Sequence, residues 1–255
     1  MSAATLLKGV DRARPVATRF VAAAREAVRH ICATGAAAAF VGPMDSGKSF
    51  AAEVALELDC PGPVIRWSVP TRGMTEYAFL ANLATAVSGV KQDGTFNELL
   101  DAGGHAFSDH EGVLVVETAE NLNRNMTDLL RHLRREAGPA SALLLIGRPD
   151  AQTAVLQLGR AITREVTFEA LKGDELLVAV RRLHPFLEAA PQDLLEFVDA
   201  NYGKGLLGDW MNFASDAVPY CNKTGRPLDK QAALHIFALR GRAVTGKPRR
   251  GRHAA

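Results

Sequence analysis

The chain has 255 residues, 47% hydrophobic and 23% charged, with a formal net charge of +2, an ordinary globular composition. That length allows one large domain, or one domain with a small appendage. No apolar run approaches the ~20 residues that span a bilayer, Lys8, Asp11, Arg12 and Arg14 break any secretory-leader pattern, and Cys32, Cys60 and Cys221 are scattered without ligand or disulfide spacing, which points to a cytoplasmic protein with reduced, buried thiols and no membrane partner.

Residues 1–11 read as a frayed lead-in. Pro15 to Cys32 read as an amphipathic helix, with Val16, Phe20, Ala23, Ala27 and Val28 at helical spacing and arginines on its solvated side. Ala36 to Val41 is an apolar strand, and Phe50 to Leu58 is helix-forming. Between them lies Gly42-Pro43-Met44-Asp45-Ser46-Gly47-Lys48-Ser49, which fits G-x-x-x-x-G-K-[ST] in the strand, loop and helix context that gives the motif meaning. Between such glycines the backbone curls so that successive N–H groups point at phosphate oxygens. The helix start near Gly47 adds the positive end of its dipole. Lys48 supplies a point charge for the β- and γ-phosphates, and the Ser49 hydroxyl a ligand for Mg²⁺. Asp45 is expected to point outward, because a carboxylate repels phosphate.

Pro61-Gly62-Pro63 turns the chain into a second strand, Val64 to Val69, which Pro70-Thr71-Arg72-Gly73 breaks. Helices over 76–87 and 96–107 follow. Val113 to Val116 suits a central parallel strand buried on both faces. Glu117 at its carboxyl end lies where open α/β sheets place ligands, and suits Mg²⁺; the alternative is an acid favoured by a helix start. Met126 to Glu136 is a helix with Arg124, Arg131, Arg134 and Arg135 on or beside it. Ala142 to Gly147 is another buried strand, and the polar tip Arg148-Pro149-Asp150 suits a γ-phosphate sensor. A short helix over 156–160 and a short strand over 165–168 complete this part.

Beyond Leu171 the pattern is helical only, over 172–200 and 204–240, with breaks near Pro185, Pro191, Gly203-Lys204-Gly205 and Thr224-Gly225-Arg226-Pro227. The domain reading is therefore a lead-in over 1–35, a nucleotide-binding α/β domain over 36–171, a helical part over 172–240 and a basic, disordered tail over 241–255. Residues 240–255 hold six Lys/Arg and no acid; without them, 24 basic residues face 28 acidic ones. That end is either a nucleic-acid contact or a solvated terminus.

This order of parts resembles the AAA+ ATPases, a P-loop NTPase parallel sheet flanked by helices and followed by a small all-helical lid. Within them it is most similar to transposition regulators of the TniB, TnsC and MuB kind, over about residues 15–240. The phosphate loop and Val113–Leu122 are the specific matches; Leu145–Asp150 resembles the sensor-1 segment, and Gly203–Leu207 with the next helix the lid. The resemblance implies an ATP- and Mg²⁺-dependent homo-oligomer, a ring, spiral or filament on duplex DNA, that recruits and stimulates a transposase. It also implies an arginine reaching the next subunit's γ-phosphate, best matched by Arg164 and then Arg160, each equally readable as a surface cation. Where the family carries Asp-Glu-Ala, this chain has Glu117-Thr118-Ala119. A hydroxyl does not serve as a general base near neutral pH as a carboxylate does, so tight binding with slow hydrolysis is expected. Glu120, two residues on, is the candidate replacement, and Lys204 is the cation nearest the sensor-2 position.

Backbone contacts to a duplex need Lys or Arg. The candidates are Arg72, Lys91, Arg124, Arg131 and Arg135, each alternatively a solvent-facing cation. Two other classes stay open: a P-loop kinase or GTPase, the latter weakened by the lack of an N/T-K-x-D motif, and an AAA+ switch acting only on protein partners.

Overall fold

The computed structural model describes residues 10–139 and 141–242. The chain divides into two compact units, one of residues 17–169 and one of residues 10–16 and 170–242 within the described range.

The first unit opens with α1 (Arg19–Thr34), β1 (Ala37–Val41) and α2 (Lys48–Asp59), continues with β2 (Val64–Ser68), α3 (Glu76–Ser88), α4 (Phe96–Ser108), β3 (Val113–Glu117) and α5 (Arg124–Glu136), and closes with β4 (Ala142–Gly147), α6 (Gln152–Leu158) and β5 (Ile162–Thr167). The five strands form one sheet in the order β2-β3-β4-β1-β5, and every pairing is parallel. β1 and β4 are buried at every residue, which explains their unbroken apolar sequences. Leu114, Val116, Leu143 and Leu145 pack with Phe79, Leu83, Leu99, Met126, Leu130 and Leu133 from the covering helices. The periods fit: Met126, Leu130 and Leu133 recur at helical spacing on α5. The Thr18 side chain caps α1, so that helix starts later than the apolar run from Pro15 suggests; Val16 belongs to the other unit. Arg25 and Arg29 both reach Asp59, tying α1 to α2. The Arg25 guanidinium, hydrogen-bonded to Asp59, holds that carboxyl below the usual carboxylate range. β5 is longer than expected at its start, because Thr163, Arg164 and Glu165 are exposed on an edge strand and carry no buried-strand pattern. Trp67 on β2 is buried edge-on against Phe79.

The second unit is helical among its described residues: α7 (Gly173–Leu183), α8 (Pro185–Glu188), α9 (Gln192–Val198), α10 (Leu207–Thr224) and α11 (Lys230–Leu239). Its core is aromatic, with Tyr202, Phe213 and Phe237 in mutual ring contact and Trp210 edge-on against Phe213. A π-turn at Asp199–Gly203 leads to Lys204 and Gly205, both left-handed, which is the break the Gly-Lys-Gly run implied. Asp199 Oδ1 accepts bonds from the Gly205 N–H at 2.8 Å and Trp210 Nε1 at 3.0 Å. Arg240 makes a two-pronged pair with Asp216. Arg242 lies over the Tyr202 ring and reaches Asp209. The other four cations of the basic end fall at 247–252, outside the described residues. The three cysteines are free thiols; Cys221 is buried as expected, whereas Cys32 and Cys60 are partly exposed. No described helix is long and apolar enough to cross a membrane.

Candidate nucleotide site

Parallel strands put their carboxyl ends on one edge of the sheet, and the register makes that edge specific. Val41 pairs with Gly147, and Glu117 with Ile146, so the tips of β1 and β3 lie on neighbouring rungs with β4 between them. Two strand spacings are about 10 Å. The Gly42–Ser49 loop and Glu117 therefore flank one short stretch of edge.

The loop's form follows from its residues. Gly42 lies so close to the chain at Phe168 that an added Cβ would stand 2.4 Å from the Phe168 carbonyl oxygen. Asp45 (φ 61°) and Gly47 (φ 89°) are left-handed. Alternating left- and right-handed residues turn successive N–H groups inward, which is an anion-binding nest. No side chain caps α2 at Gly47 and no acid lies in its first turn, so the opening amides face the loop unscreened. Asp45 is exposed. Lys48 Nζ donates to the Gly42 and Pro43 carbonyls at 2.8 and 2.5 Å, holding the loop closed on itself. Burial lowers the Lys48 pKa, against the opposing pull of Glu120 and Asp45. Ser49 is exposed at the helix start.

The turn after β3 is built differently. Thr118 is left-handed (φ 52°), a costly conformation for a β-branched residue. Its hydroxyl lies 3.0 Å from Ser68 Oγ and 2.7 Å from the Val69 carbonyl, while Asn121 donates to that same carbonyl. These bonds pin the turn to the end of β2. Glu120 is only 7% exposed. Its carboxylate accepts the Arg148 main-chain N–H at 3.0 Å and Arg148 Nε at 2.7 Å. Burial alone would raise the Glu120 pKa, but these Arg148 bonds outweigh it and hold the group below the usual carboxylate range. Glu120 is thus an anchor for Arg148. Gly147 has the same cause: a Cβ there would meet Ala151 Cβ at 2.5 Å and Glu120 Oε2 at 2.9 Å.

Among the described residues no three His, Cys, Asp or Glu side chains converge to hold a metal. A divalent ion here would rely on Ser49, Glu117 and phosphate oxygens, the manner in which Mg²⁺ accompanies nucleotides. The donor set fits such an ion, being all oxygen and containing one carboxylate.

Sequence reasoning missed Arg66, whose guanidinium contacts both Glu117 and Glu53. The signal was a lone cation between apolar residues inside the strand Val64–Ser68. The other candidates scatter. Arg72 donates to the Glu120 carbonyl and pairs with Asp150; Lys91 pairs with Asp93, and Arg131 with Asp128. Arg124 and Arg135 are exposed at opposite ends of α5. Arg160 and Arg164 are exposed beside and on edge strand β5.

The strand order, the loop and the two tips decide the comparison. The fold is that of the AAA+ proteins. Residues 32–155 match the family model of the AAA domain. A search by sequence among curated proteins returns no match. Among solved structures, the Orc1 protein of Aeropyrum pernix in complex with DNA is similar with a TM-score of 0.64 at 15% identity, over 93% of this chain and 69% of that one. Domain III of the replication initiation protein DnaA of Thermotoga maritima gives 0.56 at 13% identity, over 88% and 98%. The RuvB Holliday junction branch migration motor of Thermotoga maritima gives 0.57 at 12% identity, over 88% and 70%. At such identities the likeness is one of fold.

Proposed function

We propose that this protein binds ATP with Mg²⁺ at the loop and the acidic tip, hydrolyses it slowly, and uses the bound state to assemble as a homo-oligomer on duplex DNA, where it recruits or activates a transposase. The observation that carries the nucleotide reading is the Gly42–Ser49 nest on the same sheet edge as Glu117. The loop amides and Lys48 would hold the phosphates; Ser49 and Glu117 would hold Mg²⁺, which supplies positive charge between phosphate oxygens. Arg148, fixed by Glu120, is the γ-phosphate sensor of this reading. Slow turnover is supported by chemistry. The water-activating position carries Thr118; of the two carboxylates beside it, Glu117 is given to Mg²⁺ and Glu120 is committed to Arg148. Arg164, with Arg160 second, is the cation offered to a neighbouring subunit. The DNA and transposase parts rest on the resemblance, and DNA gains support from a structural neighbour solved with DNA.

Calorimetry tests the nucleotide reading. Lys48→Ala should weaken ATP binding by roughly tenfold to a hundredfold, the range of a charge-assisted contact. Equal binding by the variant refutes it. Thr118→Glu should speed phosphate release over multiple turnovers, and an unchanged rate removes Thr118 as its cause. Negative-stain microscopy with ATP, with and without duplex DNA, tests assembly.

The alternative switch acting on protein partners is favoured by one observation: Arg72, Lys91 and Arg131, three of the five DNA candidates, are held by acids of this chain. Nucleotide-dependent oligomers indifferent to DNA would decide for it.

A further inference from the structure

One cation in the first unit serves two carboxylates. Arg66 sits mid-way along β2, where alternation sends Trp67 into the core on one face and Arg66 to the other. One guanidinium nitrogen lies 2.8 Å from Glu53 Oε2 on α2, and the other 3.4 Å from Glu117 Oε1 at the tip of β3. The two contacts are unequal. Glu53 is 3% exposed, Arg66 20% and Glu117 31%, so the short pair is buried and the long one is at the wet end. Inside a protein a buried carboxylate costs far more to leave unpaired than an exposed one. Arg66 is therefore committed first to Glu53 and lends its remaining fork to Glu117.

The register explains the reach. Ser68 pairs with Glu117 and Arg66 with Val115, so Arg66 starts two residues below the tip and its long side chain rises to it. Arg66 also lines an open cavity of about 430 Å³ with Glu53, Glu57, Cys60 and Val64.

We infer that Arg66 is a positioning residue that competes with the divalent cation for Glu117, and that Glu53, by holding Arg66 back, sets how much Mg²⁺ the site needs. This rests on the nucleotide reading above and adds its regulation. A carboxylate cannot give its full charge to a metal and to a guanidinium at once. Loosening Arg66 from Glu117 favours the metal, and freeing Arg66 from Glu53 disfavours it. The two neighbours of Arg66 thus act in opposite senses through the same guanidinium.

The test is ATP binding by calorimetry, first in EDTA and then at stepped Mg²⁺. Arg66→Gln should lower the half-saturating Mg²⁺ by roughly three- to fivefold, the scale of one partly exposed ion pair. Glu53→Gln should raise it by roughly twofold. The double variant E53Q/R66Q, which removes both charges of the buried pair together and serves if R66Q alone fails to fold, should match R66Q. ATP affinity in EDTA should stay unchanged in all three, which a general loosening of the fold would not allow. Shifts in the same direction for R66Q and E53Q, or no shift in the Mg²⁺ requirement while ATP still binds, overturn this inference alone. A wild-type protein that binds no ATP at any Mg²⁺ overturns the nucleotide reading and this inference with it.

Discussion

The tips of β1 and β3 lie on neighbouring rungs of one sheet and are held in opposite ways. The loop after β1 is shaped by its backbone and closed by its own Lys48: Gly42 fits against Phe168, Asp45 and Gly47 turn left-handed, and α2 opens with no side-chain cap. The turn after β3 is made of side chains: the Thr118 hydroxyl against Ser68, Glu120 against Arg148 and Glu117 against Arg66. A backbone device demands particular residues at fixed intervals. A side-chain device demands only partners, and these come from segments 28 to 51 positions away.

Substitutions at three positions break or sharpen that contrast. The largest effect is expected for Gly42→Ala, since the new methyl meets main-chain atoms of Phe168, whose N–H is itself bonded to Val41 at 2.7 Å. A loss of ~3 kcal/mol, with nucleotide binding lost in parallel, should appear in urea unfolding; a loss under ~1 kcal/mol would show that the loop has slack.

Next comes Glu120→Ala, which strips the Arg148 main-chain N–H of its acceptor and should cost about 2 kcal/mol. The pH dependence has a defined sign. The folded-state pKa of Glu120 lies below its unfolded value, so its contribution is complete above the unfolded value and disappears as pH falls through the folded one. Glu120→Gln should therefore unfold with a shallower loss of stability on acidification than the wild type. Equal slopes would mean that the carboxylate is not stabilised by folding.

The smallest effect is expected for Thr118→Asn. Asparagine tolerates the left-handed region, and relief of the β-branched residue should raise stability by up to ~1 kcal/mol, net of the lost hydroxyl contacts. A lower unfolding midpoint would show that the contacts to Ser68 and Val69 outweigh the backbone cost.

The same contrast explains what was legible. Val113–Val116 and Ala142–Ile146 announce themselves because both faces of each strand are buried. The phosphate loop does so because glycine is needed where the chain passes closest to Phe168 and where φ reaches 89°. The start of β5 stayed hidden, since Ile162-Thr163-Arg164 sits half in water on an edge. At the β3 tip, the acid at position 117 could be read from its place at a strand end, but the commitment of Glu120 to Arg148 could not. Nothing local to Ala119-Glu120-Asn121 records that an arginine just past the end of β4 closes over it. Arg66 shows the same limit: a charge in a strand marks a place of interest, and only the folded chain shows which two acids share it.

The chain has two tryptophans, and the fold puts one in each compact unit: Trp67 beside Phe79 in the sheet unit, and Trp210, hydrogen-bonded to Asp199, in the helical one. Each unit thus contains its own fluorophore. Replacing either indole by phenylalanine leaves a single emission signal that follows the melting of one half, so whether the halves unfold together or in sequence becomes a spectroscopic measurement on the intact chain.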